Sequence, residues 1–152
     1  MVRAIVIGVV TFIGMEVVSY LVHRFLYHKL FWNVHKSHHT EREGVFELND
    51  LFPLFFATIT MLLIFTGLET GGLSDQVAVG VGMTLYGGVY FFIHDLYIHR
   101  RAKWVKFRLP FLLKIKKAHA VHHRTGGEPY GLLLFVSPRS LLGEDMQEDD
   151  PV

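Results

Sequence analysis

The sequence predicts an all-α integral-membrane helical bundle of three transmembrane helices, with room for a fourth, partial crossing and a histidine-rich cap on one face. Three observations predict it. Hydrophobic residues make up 51% of the 152, and the mean hydropathy is +0.32, more apolar than a soluble domain of this size needs to be. Three nearly uncharged runs each approach the ~20 residues a helix needs to cross hydrocarbon. All ten histidines fall into clusters at or beyond the ends of those runs.

The first run covers residues 4–22. It follows Met1-Val2-Arg3 with no small-residue cleavage pattern before Glu16, so it reads as a retained span and not as a removed leader. The second and third runs cover residues 51–68 and 76–93. Between them, Glu69-Thr70-Gly71-Gly72-Leu73-Ser74-Asp75 contains no Lys or Arg, and its Gly-Gly pair and Ser-Asp helix start suit a tight turn between antiparallel helices. Positive charge gathers elsewhere: Arg24, Lys29, Lys36 and Arg42 follow the first run, and Arg100, Arg101, Lys103, Lys106, Arg108, Lys114, Lys116 and Lys117 follow the third. The positive-inside rule makes that face cytoplasmic, with Arg3 alone opposing. Residues 100–117 read as a basic amphipathic region that rests on the membrane, with Trp104, Phe107 and Phe111 at the headgroups. The apolar run 132–136 is too short to cross and suits a re-entrant or interfacial piece. The acids of residues 144–150 form a solvated tail, which divides the chain into a membrane domain, 1–143, and a tail, 144–152.

A formal net charge of +1, without a basic patch interleaved with stacking aromatics, excludes nucleic acid as a partner. There is no cysteine. Disulfides and thiolate ligands are therefore absent, and any metal must be held by nitrogen or oxygen.

The histidines occur as HRFLYH (His23, His28), HKSHH (His35, His38, His39), HDLYIH (His94, His99) and HAVHH (His119, His122, His123). Each half of the chain thus supplies an HxxxxH followed by an HxxHH, and none is left over. On an α-helix the three rings of HxxHH fall within an arc of about 100° and can face one point. In HxxxxH the two rings stand about 140° apart, so they can share an ion only where a helix ends or is distorted. Each HxxxxH sits at a predicted span end, on the same face as both HxxHH clusters. Ten imidazoles exceed the needs of one ion, since zinc takes about four ligands and octahedral iron six. Two metals are the natural count. An all-nitrogen set suits iron, zinc or copper, and affinity alone favours copper or zinc over ferrous iron, so the ligands leave the metal open. A lone histidine beside an apolar surface is more often a half-buried group with one hydrogen bond. Four clusters with a repeated spacing on one side point instead to a cytoplasmic di-metal cap.

Around these boxes, Gly14-Met15-Glu16-Val17, the segment GVFELNDL at residues 44–51 and HDLYIHRR at residues 94–101 resemble the bacterial-type beta-carotene hydroxylases, a branch of the membrane-bound fatty acid hydroxylase superfamily. The histidine boxes specify only the superfamily, and GVFELNDL narrows it. The resemblance runs through most of the chain and departs after His123, where HRTGGEPYGLLLFVSP is similar in placement but different in detail. It implies an oxygen-dependent non-haem di-iron monooxygenase in a bacterial inner membrane, with two iron ions held by the ten histidines. It further implies dioxygen as co-substrate and electrons from NAD(P)H through a ferredoxin-like donor. The implied substrate is beta-carotene, taken from membrane lipid and hydroxylated on its terminal rings towards zeaxanthin. Redox-silent zinc cannot attack an unactivated C–H bond, so iron follows if hydroxylation does. Alternatives within the superfamily are a carotenoid ketolase, sterol desaturase or fatty acid hydroxylase. A non-catalytic metal carrier is the alternative from another class, although a transporter would place its ligands near the bilayer midplane.

Four further polar residues stand near the boxes. Glu16 lies within the first run, where an acid needs a partner, either an imidazole or a tyrosine or neighbouring helix. Asn49 and Asp50 precede the second run as helix caps, with Asn49 also placed to hold a metal-bound water. Asp95 adjoins His94 and either orients that ring or faces water. Tyr27 and Tyr97 read as interfacial aromatics, and Gly80, Gly82, Gly87 and Gly88 as a face for close helix packing.

Overall fold

The computed structural model describes residues 1–42, 44–106 and 108–133. Among them every regular element is helical. Helix α1, Val2–Leu21, runs on as a π-helical segment, Val22–Leu30. The short α2, Trp32–His35, and a 3-10 turn, Lys36–His38, follow. A second 3-10 turn, Leu48–Asp50, leads into α3, Leu51–Glu69. Helix α4, Asp75–Tyr90, again continues in π form, Phe91–Ile98, and α5 spans Pro110–Thr125.

The continuous stretches Val2–Leu30, Leu48–Glu69 and Asp75–Ile98 are long and apolar enough to cross a membrane, and they overlie the three predicted runs. Along them Ile5, Val6, Val9, Phe55, Met61 and Phe65 are exposed, a placement that lipid satisfies and water does not. Hydroxyls inside the spans bond backward within their own helix, as Thr60 does to the Phe56 carbonyl at 2.9 Å and Thr84 to the Gly80 carbonyl at 2.8 Å. Such bonds satisfy these hydroxyls without water.

The chain divides into two compact units, Met1–Met15 with Lys36–Val89, and Glu16–His35 with the chain from Tyr90 onward. In the first, α1 and α4 run parallel: Arg3 pairs with Asp75, and Phe12 meets Tyr86 edge-on at 5.8 Å. Helix α3 runs antiparallel to α4. A Cβ added at Gly67 would lie 2.8 Å from Val77, and one at Gly80 would lie 2.6 Å from Ile64. The expected tight turn joins these two helices. Gly71 and Gly72 take φ of 102° and 97°, a region L side chains avoid, and the Ser74 hydroxyl accepts the Val77 N–H to cap α4.

Of the four glycines expected on a packing face, two serve it. A Cβ at Gly82 would come within 2.5 Å of the Gly8 carbonyl and one at Gly80 would strike Ile64, whereas at Gly87 and Gly88 it would meet nothing within 4 Å.

Residues 100–117 are not one amphipathic segment. Among the described residues, those from 100 to 109 form no regular helix, and α5 then starts where Pro110 fixes φ for a first helical turn. Trp104 and Phe111 are exposed, and Phe107 lies outside the described residues. So do residues 134–136 of the short apolar run and the acidic tail.

Candidate metal centre

The second unit carries the HxxxxH boxes on its two π-helical segments. A π-helix bonds i to i+5, which brings residues five apart onto adjacent turns of one face. His99 N–H bonds the His94 carbonyl at 3.0 Å, and Phe31 N–H bonds that of Leu26 at 2.7 Å, both i to i+5. As a result the His23 and His28 rings lie 5.0 Å apart, and those of His94 and His99 4.7 Å apart. The boxes do not lie beyond the spans, as expected from sequence. The first lies inside its continuous helix and the second runs from within its helix to His99, the residue that caps its end, and the distortion the spacing demanded is the π form itself.

The second HxxHH sits on α5 as expected, with His119 and His122 buried. The first does not lie on a regular helix: His35 ends α2, His38 ends a 3-10 turn, and His39 follows it.

Within the second unit the imidazoles form two groups. Ligand nitrogens of His23, His28, His35 and His122 all lie within 4.8 Å of one another, and so do those of His99, His119 and His123. Nε2 of His23 is 3.1 Å from Nε2 of His35, Nε2 of His28 is 3.1 Å from that of His122, and Nε2 of His99 is 2.9 Å from that of His119. The His94 ring packs against His99 and His119 at 4.7 Å from each.

The opposite ring nitrogens fix the tautomers. His23 Nδ1 lies 2.8 Å from the Tyr130 carbonyl, and His122 Nδ1 2.6 Å from that of Gly127. A carbonyl only accepts, so each Nδ1 carries the proton and each Nε2 presents its lone pair to the group. His94 Nδ1 donates likewise to Asp95 Oδ2 at 3.2 Å, while Arg101 Nε holds the other Asp95 oxygen at 3.0 Å. Asp95 is thus held between the His94 ring and Arg101.

His38 and His39 belong to the first unit. There His38 Nδ1 donates to Glu47 Oε1 at 3.2 Å. The expected caps of α3 are not formed: its N-cap Asp50 makes no side-chain cap bond to that helix, and instead accepts the Glu47 N–H at 3.0 Å in the capping box of the preceding 3-10 turn, while Asn49 gives only its backbone N–H to the Ser37 hydroxyl at 3.0 Å.

Glu16, 1% exposed, accepts the N–H groups of Leu132 and Leu133 at 2.8 and 2.7 Å. The sequence did not single out Glu47, Gly127 or Tyr130. An acid nine residues after His38 is a weak signal, and backbone acceptors leave none.

These donors fit metal ions. Bonds of about 2.1 Å to imidazole at right angles put neighbouring nitrogens roughly 3.0 Å apart, close to the Nε2 separations found, and carbonyl- or carboxylate-held Nδ1–H is the usual support of a metal-bound imidazole. Burial, and next the imidazoles of His94, His99, His123 and His122, hold His119 well below the ordinary imidazole pKa. It is thus neutral and ready to ligate at physiological pH.

Comparison with known proteins agrees. The chain is 38% identical to a beta-carotene hydroxylase of Pantoea ananas over 91% of this chain and 81% of that one. It is equally identical to one of Pseudescherichia vulneris, over 89% and 78%. Against beta-carotene 3-hydroxylase 2, chloroplastic, of Arabidopsis thaliana it is 38% identical over 85% of this chain and 44% of the plant protein. No solved structure matches it. The profile of the fatty acid hydroxylase family matches residues 8–139, and this membrane-spanning, histidine-clustered chain belongs to that family.

Proposed function

We propose that the chain is a di-iron monooxygenase that hydroxylates the terminal rings of beta-carotene towards zeaxanthin. The observation that carries this is the convergence of the His23, His28, His35 and His122 nitrogens, with a second group at His99, His119 and His123, in a chain whose relatives are named beta-carotene hydroxylases. His94 joins the second group by its ring contacts. His38 and His39 are assigned by their place in HKSHH, which repeats HAVHH.

Iron held by these histidines would supply the redox chemistry that dioxygen activation needs. One oxygen atom enters a ring C–H bond to give the alcohol and the other leaves as water, with two electrons from NAD(P)H passed on by a ferredoxin-like carrier and two protons taken up from water. The chain's own part is to hold neutral imidazoles in place. Tyr130, Gly127, Asp95 and Glu47 keep the protons of His23, His122, His94 and His38 on Nδ1, away from the ions. Apolar helix faces let a polyene approach from lipid. The membrane is the bacterial inner membrane, with the site on the cytoplasmic side that Arg100, Arg101 and Lys103 mark, and residues 1–143 act as one hydroxylase domain.

The test is expression in a bacterium that accumulates beta-carotene, with a ferredoxin and its reductase, followed by chromatography of the pigments. Hydroxylated carotenoids are the expected product. Unchanged pigment with an active donor overturns the assignment, and keto-carotenoids would make the chain a ketolase.

A further inference from the structure

We propose that Glu16 is a positioning residue for the His23, His28, His35 and His122 group, acting through residues 126–133, whose backbone carbonyls fix two of the rings. The inference rests on the metal-centre reading above.

Glu16 sits in the apolar first helix, where a carboxyl group needs hydrogen bonds to be tolerated. Its Oε1 holds two backbone donors, Leu132 and Leu133 N–H. The same short segment presents the Gly127 carbonyl to His122 and the Tyr130 carbonyl to His23. The segment has no regular secondary structure, so no helical or strand ladder fixes those carbonyls. Side-chain anchors must do so. At one end Glu128 takes hydrogen bonds from Arg24 at 2.8 Å and Tyr20 at 2.9 Å, but this pair is solvent-exposed and weak. The Tyr130 hydroxyl closes the loop on the Gly126 carbonyl at 3.1 Å. Glu16 is the buried anchor at the other end. Because α1 carries Glu16 two turns before His23, one rigid helix sets both the ring and the strap that orients it.

The experiment compares the full chain with Glu16→Leu, which removes the acceptor, and Glu16→Gln, which keeps an acceptor oxygen. Anaerobic ferrous iron titration counts ions and their affinity. Histidine ¹⁵N spectra of the metal-free protein, assigned with His23→Gln and His122→Gln, read the tautomers. Glu16→Leu is expected to bind one of the two ions about 10- to 100-fold more weakly and to show mixed tautomers at His23 and His122, while Glu16→Gln binds both ions as the parent does. Parent affinity in Glu16→Leu, or equal impairment in Glu16→Gln, overturns the proposal. Should Glu16→Leu fail to fold, the parent protein still decides, since Nε2–H on His23 and His122 contradicts the strap. A parent chain that binds no iron yet shows Nδ1–H at both rings overturns the metal reading and leaves the strap standing.

Discussion

His122 is fully buried between its partners, with Nδ1 on the Gly127 carbonyl and Nε2 facing His28. In the proposed centre, alanine there would remove one of the four nitrogens gathered with His23, His28 and His35. The proposed assignment gives His35, His38, His39, His119 and His123 the same role, so each of the six alanine variants is expected to abolish hydroxylation. Pigment analysis of the six variants, with iron content measured alongside, checks this, and full activity in any one removes that histidine from the site. His119 adds a pH dependence. In the unfolded chain its imidazole takes a proton near pH 6.5, whereas in the folded chain burial and its neighbours depress that pKa. The unfolded state then binds more protons, so the stability of the metal-free protein is full above that pH and falls as the pH drops through and below it. Thermal melting in detergent from pH 8 to pH 5 should show this loss, and a flat profile contradicts it. Histidines are legible in a sequence because the letter names the donor. The Gly127 and Tyr130 carbonyls are not, since any residue has one and only the folded segment aims it.

The π-helical segments were foreshadowed as a misfit. Five-residue spacing of His23 and His28, and of His94 and His99, cannot put two rings on one face of an α-helix, which demands a distortion without naming it. The π form also moves the helix ends to Leu30 and Ile98, past the boundaries hydropathy suggested, because charged and polar residues at Arg24 and Asp95 interrupt the apolar run but not the helix. The first HxxHH shows the reverse failure: its letters match the second, yet Ser37 and His38 close a 3-10 turn and not an α-helix. The glycines separate at this scale too. At Gly82 a methyl group would press on the Gly8 backbone and Thr11, so Gly82→Ala is expected to destabilise by about 1–3 kcal/mol through overpacking. At Gly87 the space is open, and Gly87→Ala is expected to be neutral or to stabilise by up to about 1 kcal/mol through helix propensity. Melting temperatures of the two purified variants decide it. Equal losses would mean that the contacts at Gly82 do not set the packing of α1 on α4.

Three crossings place the turn after α3 and the basic stretch after α4 on opposite faces of the membrane. The parallel run of α1 and α4, tied by Arg3 to Asp75, with α3 antiparallel between them in sequence, is the arrangement an odd number of crossings requires. That much was legible from hydropathy and the Gly-Gly turn, because lipid permits only helices of a given length. Orientation rests on a subtler bias, the excess of Lys and Arg after the first and third spans. The chain has no cysteine, so a single introduced thiol reports its own side without background. Leu73 is 70% exposed in the turn and Lys103 is exposed in the stretch after α4. A membrane-impermeant maleimide is expected to label Leu73→Cys in intact cells and Lys103→Cys only after permeabilisation. Labelling of both from one side would mean an even number of crossings and would break the bundle described above. The inverse pattern would keep three crossings but overturn the proposed cytoplasmic side of the histidine clusters, and with it the proposed supply of electrons by a soluble cytoplasmic carrier.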